Sequence, residues 1–273
     1  MPDKTDKTKV HVLDCGALHG DLANLLLAPA KVIATRQNPQ RPSTWVEAPT
    51  HAVVVEHPEG RLLWDTSCPR DWEQRWAPSA MNDFFPYDGA SEEQYFDSRL
   101  RQLNLEPGDI DIVVISHLHF DHAGNVRMFD DAGARLLVHE DEAKGAFGYE
   151  GPFRGAHIKA DYEGLNFETV RGDTEILPGV TLLEAPGHTW GTMSLQLDLA
   201  DEGTMIFTSD AVYLRESYGP PPVGAAIVWD NQAWLRSVEK LRGIAERTNA
   251  TVVFGHDADQ RRELKLAPDA YYS

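Results

Sequence analysis

Residues 117–122 read His-Leu-His-Phe-Asp-His and follow Ile110 to Ile115, a mostly apolar run with the β-branched composition of a buried strand. Imidazole nitrogens and carboxylate oxygens are the ligands that suit zinc and its first-row neighbours. Four such groups within six residues cannot be spread along a helix face, so a loop is predicted here. A strand that ends at Ser116 would hold this loop at its carboxyl end, where open α/β sheets usually place their chemistry. The stretch therefore predicts a metal site in an α/β fold.

Three further candidate ligands follow strand-like segments later in the chain. His188 lies in Ala-Pro-Gly-His-Thr, Asp210 ends Met-Ile-Phe-Thr-Ser-Asp, and His256 ends Thr-Val-Val-Phe-Gly-His. Because each arrives on a separate β-unit, we expect them to converge with the 117–122 loop at one sheet edge. The seven predicted metal ligands are His117, His119, Asp121, His122, His188, Asp210 and His256.

The number of ligands predicts the number of metal ions. Seven ligands exceed the four that one zinc ion prefers, but two divalent ions use the whole set if Asp210 bridges them. One ion is expected to take His117, His119 and His188. The other is expected to take Asp121, His122 and His256. Zinc is the expected metal, and nitrogen and oxygen ligand sets of this kind also accept Mn, Fe and Co.

These motifs resemble the metallo-β-lactamase superfamily over roughly residues 10 to 260, through His-x-His-x-Asp-His, the Gly-His-Thr loop, the late Asp and the final His. The resemblance implies an α/β fold of two mixed β-sheets flanked by helices, the αββα sandwich. Asp210-Ala-Val-Tyr213 is similar to the Asp-x-x-Tyr of N-acyl-homoserine lactonases, and Ser-His-Leu-His-Phe-Asp-His-Ala-Gly matches their loop. A dinuclear metal-dependent hydrolase that opens a lactone ring and so quenches quorum signals is therefore implied.

The expected mechanism gives roles to four side chains. A hydroxide that bridges the metal ions attacks the lactone carbonyl, and Asp121 acts as ligand and proton shuttle. The lactonase resemblance implies that Tyr213 binds and polarises a substrate oxygen. Phe120, held between two ligands, is expected to touch an acyl chain or only to pack. Asp65 is where the resemblance places a carboxylate that orients a ligand imidazole, because metal-bound His usually donates its other N–H to an acceptor.

Other functions stay open at this point. A thioesterase of the glyoxalase II type has the same ligand set, but such enzymes usually carry a helical C-terminal extension, and here only 17 residues follow His256. Hydrolysis of another small lactone is a second alternative. From a different class, a mononuclear iron persulfide dioxygenase would need only His117, His188 and Asp210, and metal analysis would distinguish it.

The composition of the chain limits the kinds of partner that it is expected to bind. The chain has 273 residues, 42% of them apolar, and a formal net charge of −18. Such a charge repels phosphate backbones and anionic membrane surfaces, so a nucleic-acid or membrane partner is not expected. No stretch approaches the roughly 18 apolar residues of a membrane span, and no signal peptide is evident. We expect a cytoplasmic protein with a small-molecule lactone as substrate, in a single domain over residues 1–273 that begins with a loose tail at 1–9.

Strand and helix patterns alternate along the chain. Strands are expected at Val10 to Leu13, His51 to His57, Arg61 to Trp64, Ile110 to Ile115, Leu136 to His139, Thr181 to Glu184, Ser194 to Leu199, Met205 to Ser209 and Thr251 to Phe254. Helical spacing marks residues 91–105 and Gln232 to Thr248. Segments 17–45, 144–166 and 215–229 fit no regular element and are candidates for substrate walls or a homodimer contact.

Overall fold

The computed structural model describes residues 8–28, 32–150 and 155–273. Its strands are β1 (Lys9–Asp21), β2 (Trp45–His57), β3 (Gly60–Trp64), β4 (Ile112–Val114), β5 (Arg135–His139), β6 (Phe167–Val170), β7 (Thr174–Leu177), β8 (Val180–Glu184), β9 (Met193–Leu199), β10 (Gly203–Phe207) and β11 (Thr251–Val253). Its α-helices are α1 (Trp72–Trp76), α2 (Met81–Phe84), α3 (Phe96–Gln102), α4 (Glu140–Gly148), α5 (Lys159–Tyr162), α6 (Arg215–Tyr218), α7 (Asn231–Thr248) and α8 (Ala258–Arg261).

The strands form two mixed sheets. The first has the order β1-β2-β3-β4-β5-β6, antiparallel from β1 to β3 and parallel from β3 to β6. The second has the order β11-β10-β9-β8-β7. In it β10 and β11 are parallel to each other, and the other neighbouring pairs are antiparallel. Because β9 lies antiparallel between β8 and β10, strands β8, β10 and β11 all point the same way. Their carboxyl ends therefore meet at one edge.

Three apolar clusters show how the layers pack. One joins inward-facing residues of both sheets, such as Val53 and Val114 from the first with Leu195 and Phe207 from the second. A second cluster packs α3 and α4 on the outer face of the first sheet, and a third packs α7 on the outer face of the second. The predicted αββα sandwich is confirmed.

The long helix α7 shows why the sequence pattern predicted it well. The Asp230 side chain accepts hydrogen bonds from the Gln232 and Ala233 backbone N–H groups, which caps the first turn. Asn249 ends the helix in the left-handed region, at φ 53°. The buried positions recur at helical spacing on one face, namely Trp234, Ser237, Val238, Leu241 and Ala245.

The first strand is longer than its sequence pattern indicated. Residues 17–21, predicted to be irregular, continue β1, because Gly16 adopts φ +80° and forms a bulge beside Asp14 after which pairing with β2 resumes. The predicted tail at 1–9 is also wrong at its end, since Lys9 begins β1 and Thr8 is buried. Residues 1–7 lie outside the described ranges.

The other predicted irregular segments are partly regular. Segment 144–166 contains the end of α4 and the whole of α5, and its residues 151–154 lie outside the described ranges, as do residues 29–31 of the first segment. Segment 215–229 contains the short α6 and is otherwise irregular. Strands β6 and β7 were not predicted because they are four-residue edge strands in which Leu177 is the one buried apolar residue.

An ion pair between half-buried Arg75 on α1 and buried Asp161 on α5 is expected to make the stability of the fold depend on pH. Arg75 donates to Asp161 Oδ1 over 2.8 Å, while Asp161 Oδ2 is buried without a hydrogen bond. Burial, opposed by Arg75, raises the Asp161 pKa to about 7. The folded state therefore binds the Asp161 proton more tightly than the unfolded state does. The resulting contribution to the free energy of unfolding is complete below about pH 4 and is lost as the pH rises through 7.

The variant Asp161→Asn should remove that pH dependence. Between pH 5 and pH 8 the free energy of unfolding of the parent should fall by roughly 2–3 kcal/mol more than that of the variant. Urea titrations of both proteins at the two pH values measure the difference. Equal changes in the two proteins would show that Asp161 is ionised throughout.

Candidate metal centre

The predicted ligands lie where strands end. The 117–122 loop follows β4 of the first sheet, and His188, Asp210 and His256 follow β8, β10 and β11 of the second. Two glycines allow these loops to pack closely, one against α7 and one against the loop that carries Asp210. A Cβ on Gly187 would lie 2.3 Å from the Trp234 backbone nitrogen, and one on Gly255 would lie 2.7 Å from the Ser209 carbonyl oxygen. Only glycine fits at either position without displacing backbone.

The first group of ligand atoms contains three imidazoles and one carboxylate oxygen. His188 Nε2 lies 3.0 Å from His117 Nε2 and 2.9 Å from His119 Nδ1, and the last two atoms lie 3.1 Å apart. Asp210 Oδ2 lies 3.1 Å from His188 Nε2 and 3.7 Å from His117 Nε2. All four side chains offer atoms within 4.8 Å of one another.

The second group lies on the other side of Asp210. Asp121, His122 and His256 offer atoms within 4.8 Å of one another. Asp210 Oδ1 lies 3.0 Å from His256 Nε2 and 3.3 Å from His122 Nε2. The two oxygens of one carboxylate thus face the two groups separately, as a bridging ligand requires.

Buried polar atoms that lack hydrogen bonds indicate that both ligand groups fit cations. Asp210 Oδ1 and His122 Nε2 are buried and make no hydrogen bond, which is costly for polar atoms unless another ligand is bound. In a tetrahedral zinc site with metal–nitrogen bonds of 2.0–2.1 Å, neighbouring ligand atoms lie about 3.3 Å apart. The three ring nitrogens of the first group have separations close to this value. The donor set therefore fits divalent metal ions, zinc among them.

The ionisation of the first group also suits metal binding. Burial and neighbouring imidazoles hold the pKa values of His117 and His119 well below the usual value, so both rings are neutral ligands. Burial opposes ionisation of Asp210, but His256, His122 and His188 outweigh it and hold the Asp210 pKa well below its ordinary range. Neutral imidazoles around an ionised carboxylate are the forms that bind a cation.

His122 behaves differently because it is surrounded by acids. Burial favours its neutral form, but Asp121, Asp210 and Asp65 raise its pKa well above the usual value. Asp65 Oδ2 lies 2.8 Å from His122 Nδ1, and both its oxygens accept hydrogen bonds from Ser116. The carboxylate predicted to orient a ligand imidazole therefore lies against one.

Tyr213 lies behind His188 rather than on the wall of the cavity. Its ring is fully buried, and its hydroxyl lies 2.5 Å from His188 Nδ1 and donates to the Ile227 carbonyl oxygen over 2.8 Å. His188 Nδ1 is also 3.0 Å from that oxygen, so it carries the proton and leaves the Nε2 lone pair free for the cluster. The predicted contact with a substrate oxygen stays a prediction, and the geometry shows the hydroxyl orienting His188.

A cavity of about 260 Å³ opens over the ligands. His119, Asp121, His188, Asp210 and His256 form its polar floor. Apart from Asn24 its walls are apolar, and they come from distant segments, namely Leu18, Leu25, Ala48, Met81, Phe84, Phe85, Phe120, Gly155, Ala156 and Ile227. Phe120 lines this cavity and also packs edge-on against Trp76, at 4.5 Å between ring centroids, so the two roles predicted for it are compatible.

Residues that the sequence did not indicate pack behind the first ligand group. The His157 ring packs with its centroid 4.4 Å from that of His119 and 5.0 Å from that of Trp190. It lines a smaller cavity of about 80 Å³ together with Trp190 and Trp229. Its Nε2 lies 3.2 Å from Glu142 Oε1 on α4. No spacing rule connects these residues, so the sequence carried no signal for them.

The chain is similar in sequence to curated N-acyl homoserine lactonases. The N-acyl homoserine lactonase AiiB of Rhizobium rhizogenes is 36% identical, over 97% of this chain and 99% of the relative. The N-acyl homoserine lactonase AiiA of Bacillus thuringiensis subsp. kurstaki is 28% identical over 84% of this chain and 89% of its own.

Solved structures give the same family. The crystal structure of a quorum-quenching N-acyl homoserine lactone hydrolase superposes with a TM-score of 0.81 at 27% identity, over 98% of this chain and 99% of the other. An N-acyl homoserine lactone hydrolase with N-hexanoyl-L-homoserine at its catalytic metal centre gives 0.80 at 26% identity, over 96% and 98%. The family model of the metallo-beta-lactamase superfamily matches residues 45–256. The chain belongs to the metallo-beta-lactamase superfamily.

Proposed function

We propose that this protein is a metal-dependent hydrolase that opens the lactone ring of N-acyl-homoserine lactones. The observation that carries the proposal is the pair of ligand groups that share Asp210 on the floor of an apolar cavity. Similarity to lactonases along nearly the whole chain supports the substrate class. The acyl chain would lie against the apolar walls and the lactone would lie over the ligands.

We assign the seven predicted ligands to two divalent ions, with zinc as the metal that best suits their nitrogen and oxygen atoms. Bound there, the ions would supply a water that ionises near neutral pH and an electrophile for the ester carbonyl. The three-histidine group and the group containing Asp121 would each hold one ion, with Asp210 contributing one oxygen to each. Loading the second group requires His122 to release its proton, so metal affinity should rise with pH.

Asp121 is the residue of this chain best placed to move a proton. Its carboxylate reaches the cavity floor, and its Oδ2 lies 3.5 Å from His122 Nε2 and 3.6 Å from His256 Nε2. We assign to it the proton of the attacking water, which it returns to the ring oxygen as the ester C–O bond breaks. The product carries a hydroxyl and a carboxyl group, and the carboxyl group releases one proton to solvent at neutral pH.

The apolar walls predict a dependence on acyl-chain length. Phe84 on α2 lines the cavity and is 59% exposed, so it has no structural role in the core. Phe84→Ala should lower the kcat/KM ratio of decanoyl to butanoyl homoserine lactone by about fivefold, the effect of losing roughly 40 Å² of apolar contact with the longer chain. Phe147→Ala removes another exposed ring, 40% exposed, that lies outside this cavity, and it should leave the ratio unchanged. An unaltered ratio in Phe84→Ala would place the acyl chain elsewhere.

Tyr213→Phe separates two roles for that hydroxyl. Because the hydroxyl contacts His188 Nδ1, its loss should weaken metal binding by about 10-fold, with turnover at full metal loading reduced only a few-fold. Competition with a chelator and kinetics at saturating metal measure the two effects. Tyr162→Phe, which removes another buried hydroxyl bonded to a backbone carbonyl, is the control. Parent-like metal affinity with slow turnover would instead support the substrate contact predicted from the sequence.

A substrate screen tests the proposed function. The metal-loaded protein is offered N-acyl-homoserine lactones, other small lactones and S-lactoylglutathione in a pH-indicator assay, and a persulfide with an oxygen electrode. We expect acid release from N-acyl-homoserine lactones. Reaction with S-lactoylglutathione alone would identify a thioesterase, and oxygen consumption with persulfide would identify the dioxygenase. That last reaction would leave His119, Asp121, His122 and His256 without a role, although all four lie in the cluster.

A further inference from the structure

Glu142 is a fully buried carboxylate outside the ligand set. It lies in the first turn of α4, beside Glu140 and Asp141. Acidic residues are common there because they interact favourably with the helix dipole, but that effect needs no burial. The Glu142 side chain is 0% exposed, whereas those of Glu140 and Asp141 are 26% and 56% exposed. Burying a carboxylate is costly unless specific partners compensate.

The partners of Glu142 belong to two loops that carry metal ligands. Its Oε1 accepts a hydrogen bond from the Leu118 backbone N–H over 2.9 Å, and its Oε2 accepts one from the Gly191 backbone N–H over 3.2 Å. Leu118 lies between His117 and His119. Gly191 lies three residues after the third imidazole of the same group. One carboxylate therefore connects both segments that supply the three-histidine group.

A third contact supports the same group from the side. His157 Nε2 lies 3.2 Å from Glu142 Oε1, and the His157 ring packs edge-on against that of His119. The packing leaves little freedom, because a Cβ on Gly191 would lie 2.5 Å from the Glu142 backbone nitrogen. The loop that carries His188 thus approaches the first turn of α4 as closely as backbone can.

We propose that Glu142 is a positioning residue that fixes the distance between the two loops of the three-histidine group and so sets the affinity of that group for its metal ion. The inference rests on the proposed metal centre. Asp65 has the corresponding place in the other group, through His122. Asp65 also accepts hydrogen bonds from Ser116, which precedes His117, but the only imidazole it contacts directly among the seven ligands is that of His122. Loss of Glu142 would leave two backbone N–H groups buried and unpaired, and the loops would separate to solvate them.

The test compares Glu142→Gln with Asp65→Asn, using Glu140→Gln as a control from the same helical turn. Metal affinity is measured by chelator competition, and cobalt substitution reports each ligand group through its visible absorption. Glu142→Gln should bind one of two equivalents 10–100-fold more weakly and leave the other unchanged. Asp65→Asn should weaken the other equivalent, and Glu140→Gln should bind both as the parent does.

A measurement on metal-free protein separates this inference from the proposed function. The Glu142→Gln side chain keeps one acceptor oxygen for the two backbone N–H groups, so amide hydrogen exchange at Leu118 or at Gly191 should be faster than in the metal-free parent, while amides of α7 exchange equally. Should Glu142→Gln fail to fold, Glu142→Asp, whose carboxylate is one methylene short, carries the same expectations. Parent-like affinity at both positions, or equal weakening of both, would overturn the positioning role even if the parent hydrolyses lactones.

Discussion

Replacing Asp210 with asparagine should reduce the bound metal from two ions to one or none and slow lactone hydrolysis by far more than 100-fold, the upper range for an outer-shell partner. Both Asp210 oxygens face ligand nitrogens, at 3.0 Å from His256 Nε2 and 3.1 Å from His188 Nε2. Asparagine keeps the shape but replaces one oxygen with an N–H donor and removes the charge. Neither group can then be completed as before.

Metal analysis by mass spectrometry and initial rates of acid release measure the two effects. Asp259→Asn removes a carboxylate that is 89% exposed and pairs with Arg262 one helical turn away, so it should retain parent values. Thermal unfolding of the metal-free proteins excludes a general loss of fold. If Asp210→Asn kept both metal ions and parent rates, Asp210 would not be the bridging ligand.

Removing the metal should destabilise the fold as well as abolish activity. Without cations, three imidazole nitrogens lie about 3 Å apart in a buried site, and buried polar atoms of His122 and Asp210 have no hydrogen bond. At a free metal concentration 1,000 times Kd, each bound ion adds about 4 kcal/mol. Since each kcal/mol shifts Tm by about 2–4 °C in chains approaching this length, chelation should lower Tm by roughly 10 °C or more.

Scanning calorimetry with and without a chelator measures this shift, and readdition of metal should restore both Tm and activity. Asp210→Asn should show a smaller shift than the parent, because fewer ions can be removed from it. An unchanged Tm in the parent after verified metal removal would mean that the ligand residues are held by the fold alone.

Much of the site could be predicted because its ligands obey local rules. The four ligands of the His-Leu-His-Phe-Asp-His loop lie within six residues, so a metal site can be predicted from them without a structure. His188, Asp210 and His256 each follow a strand, and strands β8, β10 and β11 point the same way. Parallel strands bring their carboxyl ends to one edge, so convergence follows from topology.

The parts that escaped prediction depend on contacts between distant segments. The bulge at Gly16 resembles a strand end in sequence, and its effect is visible only in the pairing with β2. Tyr213 follows a ligand closely, but sequence spacing does not fix which way its hydroxyl points. Glu142 resembles a helix-terminal acid, and its burial depends on Leu118 and Gly191, which are 24 and 49 residues away.

Anomalous diffraction from crystals of the metal-loaded protein tests the central claim most directly, because it locates each ion among the side chains. We expect two peaks on either side of Asp210. One should lie among His117, His119 and His188, and the other among Asp121, His122 and His256. A single peak, or a peak pair that Asp210 does not join, would contradict the account.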